Sequence, residues 1–64
     1  MKNYWKFTFY QNDKEKIRYF HGTESKVGHR ANRTTGDKKS LVILNKPHVQ
    51  YLKQEKQVRF IEVR

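Results

Sequence analysis

The chain contains no cysteine, so neither a disulfide nor a Cys-containing zinc site can stabilise it. Its three histidines are a poor substitute for such a site, and we predict no metal and no cofactor. No apolar run approaches the roughly 18–20 residues that cross a bilayer, and residues 1–6 have no apolar signal segment. We therefore expect a cytoplasmic protein without membrane contact.

Glycine is also scarce. Gly22, Gly28 and Gly36 lie too far apart to form either the dinucleotide-binding or the P-loop fingerprint, both of which need closely spaced glycines against a phosphate. This spacing argues against a nucleotide-binding enzyme of either class.

Acidic residues are few, six against 15 Lys and Arg, and the net charge is +9. A net charge of about 2–8 is enough to keep a small domain soluble, so +9 lies just above what solubility requires. A field of one sign opposes the compact state, and a polyanionic partner relieves it. Nucleic acid is the partner that this charge predicts, either DNA or RNA.

At 64 residues the chain has room for one small domain, 1–64, whose core can supply only modest stability. A sheet this small leaves a free edge, so the protein is expected to be a monomer or a weak homodimer.

Residues 4–10 alternate so that Trp5, Phe7 and Phe9 share one face of a strand, and residues 16–21 form the returning strand of a hairpin. A two-residue loop at 12–13 would place Lys16 opposite Phe9 and Arg18 opposite Phe7. A three-residue loop at 12–14 instead gathers the apolar side chains on one face, and we expect that register. The other face is then basic and aromatic.

The remaining pattern predicts a long polar loop at about 22–39, a central strand at 41–44, and a final strand at 58–63. Asn45 and Pro47 favour a short helix over 48–56, with a strand as the alternative. The expected fold is β-rich α+β, a small antiparallel sheet of about four strands with one short helix before the last. A five-stranded SH3-like barrel is the alternative if 48–53 form a strand.

Cations next to aromatic rings are what a single-strand binder needs, because cations follow the phosphates and bases stack on the rings. The predicted hairpin face supplies both, and the polar loop supplies further cations that could bind a phosphate backbone. As nucleic-acid-binding residues, making mostly phosphate contacts of low sequence specificity, we predict Lys6, Tyr10, Lys16, Arg18, Phe20, Lys26, Arg30, Arg33, Lys38 and Lys39.

Catalysis is not expected. A metal-independent ribonuclease would need two titratable groups flanking a phosphate, and the spacing of His21, His29 and His48 fixes no such geometry. That activity remains the enzymatic alternative.

Residues 7–11, Phe-Thr-Phe-Tyr-Gln, and the stretch 47–63 ending in Phe-Ile-Glu-Val resemble the small epsilon subunit of Firmicute RNA polymerase. The resemblance covers fewer than half of the residues. The sequence shows no counterpart to that family's middle helix, and it is basic where the family is acidic. It implies the fold of some phage polymerase inhibitors, and an alternative function: a small phage-type or accessory protein that docks on an acidic surface of a host protein such as RNA polymerase.

Overall fold

The computed structural model describes residues 1–64 and confirms a small β-rich α+β fold. One four-stranded sheet, in the order β3-β1-β2-β4, has a helix on each side. The elements in chain order are β1 (Asn3–Gln11), β2 (Lys14–Gly22), α1 (Glu24–Arg33), β3 (Asp37–Leu44), α2 (Lys46–Lys53) and β4 (Phe60–Glu62).

The hairpin of β1 and β2 closes through the two-residue turn, and the predicted three-residue loop is wrong. Asn12 and Asp13 both have positive φ, 51° and 64°, as the mirror-image hairpin turns require. Phe9 therefore pairs with Lys16 rather than with Ile17. The two-residue turn therefore sets the register of the hairpin. Lys16 does not enter the core, because α1 covers only part of this sheet face.

Helix α1 replaces most of the long loop predicted at 22–39. Thr23 begins it, its hydroxyl accepting from the Lys26 backbone N–H at 3.3 Å. Val27 and Ala31, one helical turn apart, are buried at 0% and 7% exposure. Two small apolar residues at this spacing are enough to attach a polar helix to an aromatic sheet face.

Strand β3 lies at an edge of the sheet, whereas its apolar run at 41–44 was predicted to be central. Leu44 is buried beneath α2, and Leu41 is half-buried on the α1 side. Val42 and Ile43, however, remain 52% and 53% exposed. All four residues of the run at 41–44 are apolar, but only Leu41 on one face and Leu44 on the other pack against the rest of the protein.

Helix α2 confirms the predicted helix and excludes the barrel alternative. The Asn45 side chain accepts from the His48 backbone N–H at 3.1 Å, Pro47 lies in the first turn, and Val49 and Leu52 are buried. Neither α1 nor α2 has the length and apolar content needed to span a membrane.

The predicted antiparallel sheet is instead mixed, because β4 pairs parallel with β2, through Phe60 to Glu62. The two helical crossovers, β2-α1-β3 and β3-α2-β4, run in opposite directions across the sheet. If both have the usual right-handed sense, their helices must lie on opposite faces, which is the arrangement observed.

The core divides into two clusters, one on each face. On the face that packs against α1, hereafter the α1 face, the buried side chains are Trp5, Phe7, Phe9, Phe20, Val27, Ala31 and Val63. On the opposite face, the α2 face, Leu44, Val49 and Leu52 pack with half-buried Tyr4, Tyr19, Val58 and Phe60. The Trp5 indole N–H donates to the Gly22 carbonyl at 3.0 Å, so no buried side-chain polar atom lacks a partner.

Candidate nucleic-acid interface

The predicted binding residues are distributed over both faces of the sheet rather than over one surface. Because the hairpin turn has two residues, Lys16, Arg18 and Phe20 lie on the α1 face, whereas Lys6 and Tyr10 lie on the α2 face. The basic and aromatic hairpin face predicted from the sequence is therefore wrong as a single surface.

Phe20 is not available for stacking on a base. It is 2% exposed and belongs to the main core cluster, where its ring lies 5.9 Å from that of Phe7. Its assignment as a binding residue is corrected to a core residue, because the two-residue turn directs it towards α1.

Two arginines cover the edge of this aromatic core. The Arg18 guanidinium lies 5.6 Å from the centre of the Phe9 ring, and that of Arg30 lies 5.7 Å from the centre of the Phe20 ring. These distances fall within the range of cation–π attraction. Both side chains are exposed, so their N–H groups can meet a ligand from solvent.

Helix α1 supplies the most regular group of cations. Lys26, Arg30 and Arg33 are exposed and follow one another at i, i+4 and i+7, so they share one side of the helix. We call these three residues the cationic stripe. Arg30 and Arg33 also lie in the last turn, where positive charge interacts favourably with the helix dipole.

The stripe borders an open depression of ≈ 570 Å³. Val63 is its one apolar lining residue, and the remaining lining residues are Ser25, Lys26, His29, Arg30, Asn32, Arg33 and Arg64. Sequence reasoning did not find Arg64. Arg64 reaches this site because Val63 is buried beside α1, and the pattern at 58–63 does not show which face of the last strand points inward.

None of these cations has a carboxylate within ion-pair distance. The only ion pairs in the molecule join Glu62 to Lys2, at 3.6 Å, and to His21. Lys2 is thus the only one of the 15 Lys and Arg side chains with a carboxylate within 4.0 Å. Glu15 and Asp37 pair across the strands with Tyr10, on the α2 face. The stripe and Arg18 therefore keep their full charge for an external partner.

The predicted binding residues on the α2 face are separate from the cationic stripe, and some of them already contact other side chains of the protein. The Tyr10 hydroxyl donates to Glu15 at 3.2 Å, and Lys38 lies 5.5 Å from the centre of the Tyr10 ring. The hydrogen bond to the Glu15 carboxylate raises the pKa of Tyr10. Lys6 borders a shallow depression with Val42 and His48. None of these residues is placed beside α1.

Lys38 and Lys39 are the second and third residues of β3 and lie at an irregularity in its pairing with β1, where Lys38 adopts a φ of 49°. The Lys39 ammonium donates to the Asn32 carbonyl at 3.1 Å. Lys39 therefore stabilises the carboxyl end of α1 and adds positive charge beyond Arg33.

The three histidines are dispersed over β2, α1 and α2. His21 is hydrogen-bonded to Glu62 and stacks on Tyr4 with ring centres 4.3 Å apart. No three His, Asp or Glu side chains lie close enough together to hold a metal ion.

Comparison of the chain with models of protein families, with curated proteins and with solved structures found no match.

Proposed function

We propose that the protein binds the phosphate backbone of nucleic acid through the cationic stripe and Arg18, with little sequence specificity. The observation that carries this proposal is a row of exposed cations on one side of α1 with no carboxylate within ion-pair distance. Phosphate contacts fix the position of a protein on nucleic acid without reading its bases. Binding in the cytoplasm, without a catalytic step, is the activity we assign.

Three of the four proposed phosphate-binding residues are arginine, which suits this role better than lysine. A guanidinium presents a planar fork that binds two phosphate oxygens at once, and it loses less entropy per hydrogen bond. Arg18 and Arg30 contact the rings of Phe9 and Phe20. These contacts reduce the conformational entropy that each arginine side chain would lose on binding.

The test is a fluorescence-anisotropy titration of labelled nucleic acid at several salt concentrations, comparing the R30A/R33A variant with the parent protein. Removing one phosphate contact should reduce the slope of log K against log salt by about one unit, so the expected reduction is about two. The weakening should be equal for unrelated sequences, because phosphates carry no sequence information.

The matched control is the K46A/K56A variant, which removes the same charge from α2 and from the turn that follows it. It should leave the slope nearly unchanged. An equal reduction in both variants would show diffuse attraction without a defined site and would contradict the proposal. No binding at about 0.15 M salt would also contradict it, and would favour an acidic protein surface as the partner that this field attracts.

A further inference from the structure

We infer that the ligand is double-stranded nucleic acid rather than a single strand; this inference rests on the proposed function. It follows from where the structure places the aromatic rings relative to the cationic stripe.

The rings beside the stripe cannot stack on bases. Trp5, Phe7, Phe9 and Phe20 are all at most 5% exposed. The two at the edge of the cluster are further covered by the guanidinium groups of Arg18 and Arg30. A single strand laid along α1 would therefore meet cations without a flat apolar surface for its bases.

The other aromatic side chains do not provide a platform near the stripe either. Tyr4 is stacked on His21 and covered by Lys53, whose ammonium lies 4.8 Å from the ring centre. Tyr10 is covered by Lys38. Tyr51, at 61%, is the one aromatic side chain that is largely exposed, and it lies on α2, across the sheet from α1.

The cationic stripe has a rigid support and a regular spacing, which suit binding to the phosphate backbone of a duplex. It lies on a rigid helix, with steps of about 6 Å from Lys26 to Arg30 and about 4.5 Å from Arg30 to Arg33 along the axis. A duplex carries one negative charge per about 1.7 Å of its length and holds its phosphates in a fixed row. A row of cations on a helix suits such a ligand, because the backbones of both partners are already ordered and only side chains lose freedom on binding.

The experiment compares a mixed-sequence duplex with its two separated strands, each chosen to lack self-pairing, by anisotropy over a series of salt concentrations. DNA and RNA duplexes form separate arms, because both present the same phosphate chemistry. We expect tighter binding to the duplex at equal phosphate concentration. For the four contacts of the stripe and Arg18, the slope of log K against log salt should be about −3.6 on the duplex and about −2.8 on a single strand.

Two variants distinguish the site. R30A/R33A should weaken binding to the duplex and reduce its salt slope by about two units. Tyr51→Ala should leave binding to both forms unchanged, since its ring is on the other side of the sheet.

Tighter binding to the single strands would overturn the inference while leaving the proposed function intact. So would a decrease of about fivefold or more in single-strand affinity on Tyr51→Ala, the size expected for one stacked base. Failure to bind either form would overturn the proposed function and this inference together.

Discussion

Asn12 and Asp13 adopt the left-handed conformation, in which most L-residues are strained. Asn and Asp tolerate it better than other residues, but glycine has no side chain to oppose it. The second turn position is the one that glycine most often fills in hairpins of this kind.

Asp13→Gly should therefore stabilise the protein, by about 0.5–1 kcal/mol, because relief of strain outweighs the added freedom of the unfolded chain. Urea unfolding followed by Trp5 fluorescence, with the midpoint rising at constant slope, would measure it. Asp13→Ala removes the same charge without relieving the strain. Equal stabilisation by both variants would show that the conformational freedom of glycine is not the cause and would contradict the explanation.

The same two residues show why the hairpin register was mispredicted. The alternation of Trp5, Phe7 and Phe9 correctly predicted their shared buried face, and the positions of both strands followed from the pattern. The register depended on whether Lys16 and Arg18 could share that face. They can, because α1 covers only part of it, and no helix was predicted there.

Glu62 contacts His21 of β2 and Lys2 through its side chain, in addition to the backbone pairing of β4 with β2. The hydrogen bond with His21 lowers the pKa of Glu62 below its ordinary value of 4.5, and the charges of His21 and Lys2 act in the same direction. An ionised carboxylate that is favoured in the folded state contributes stability above pH 4.5. That contribution disappears as the pH falls through the lowered pKa of the folded protein.

Glu62→Gln should accordingly flatten the decline in stability as the pH falls below 4.5, because the lowered pKa places the loss of this carboxylate there. Urea midpoints across that range, for the parent and the variant, would measure the change. Glu55→Gln removes an exposed carboxylate that makes no ion pair and should leave the profile as it is. A steeper decline in acid for the Glu62 variant would contradict this account.

At the scale of elements, α1 is a helix made stable by its surroundings more than by its own sequence. It has a glycine at its centre, Gly28, and an extra methyl group there would meet no atom within 4 Å. Glycine in a helix interior costs about 0.5–1 kcal/mol relative to alanine.

Gly28→Ala should raise the free energy of unfolding by about that amount, measured as a rise in the urea midpoint. Gly22→Ala is the opposing control, because its methyl group would lie 2.9 Å from the Val63 carbonyl oxygen. It should destabilise the protein. Stabilisation at Gly22 or destabilisation at Gly28 would show that the packing around α1 differs from that described.

The internal glycine also helps to explain why α1 was predicted as a loop. With Gly28 at its centre, few apolar residues and many charges, residues 22–39 have little intrinsic preference for a helix. Only Thr23 and the spacing of Val27 and Ala31 indicated one. By contrast, α2 has Asn45, Pro47 and good helix formers in sequence, and its prediction was correct.

The predicted binding residues lie apart because two predictions were wrong: α1 was predicted as a loop, and the hairpin turn was predicted to have three residues. Once α1 is a helix, Lys26, Arg30 and Arg33 form a row that a loop would not produce. Once the turn has two residues, Phe20 becomes part of the core. Charge could be predicted from composition, but the surface that carries it depends on the helix and on the register.

At the scale of the whole molecule, the excess of positive charge is almost entirely unpaired within the protein. With Lys2 as the only Lys or Arg in an ion pair, mutual repulsion among the others opposes the compact state. Salt screens this repulsion, and the screening length shortens from about 30 Å at 0.01 M to about 8 Å at 0.15 M.

The melting temperature should therefore rise as sodium chloride increases over this range, by about 4–8 °C if about 1 kcal/mol of repulsion is relieved. Circular dichroism during heating would measure it. Chloride is the appropriate salt, because sulfate strengthens burial of apolar surface by a separate effect. A melting temperature that falls or stays constant would mean that the cations do not oppose folding.

The ion pair between Lys2 and Glu62 has one more consequence. Strands β1 and β4 flank β2 on either side, and both the beginning of β1 and the end of β4 lie at its Gly22 end. Two strand spacings, about 10 Å, separate them, a gap that about four to six added residues would bridge. The path of the chain is thus close to a closed ring. A circular permutant cut in the turn at 54–57 would keep every strand pairing of the sheet while presenting its ends on the side away from α1.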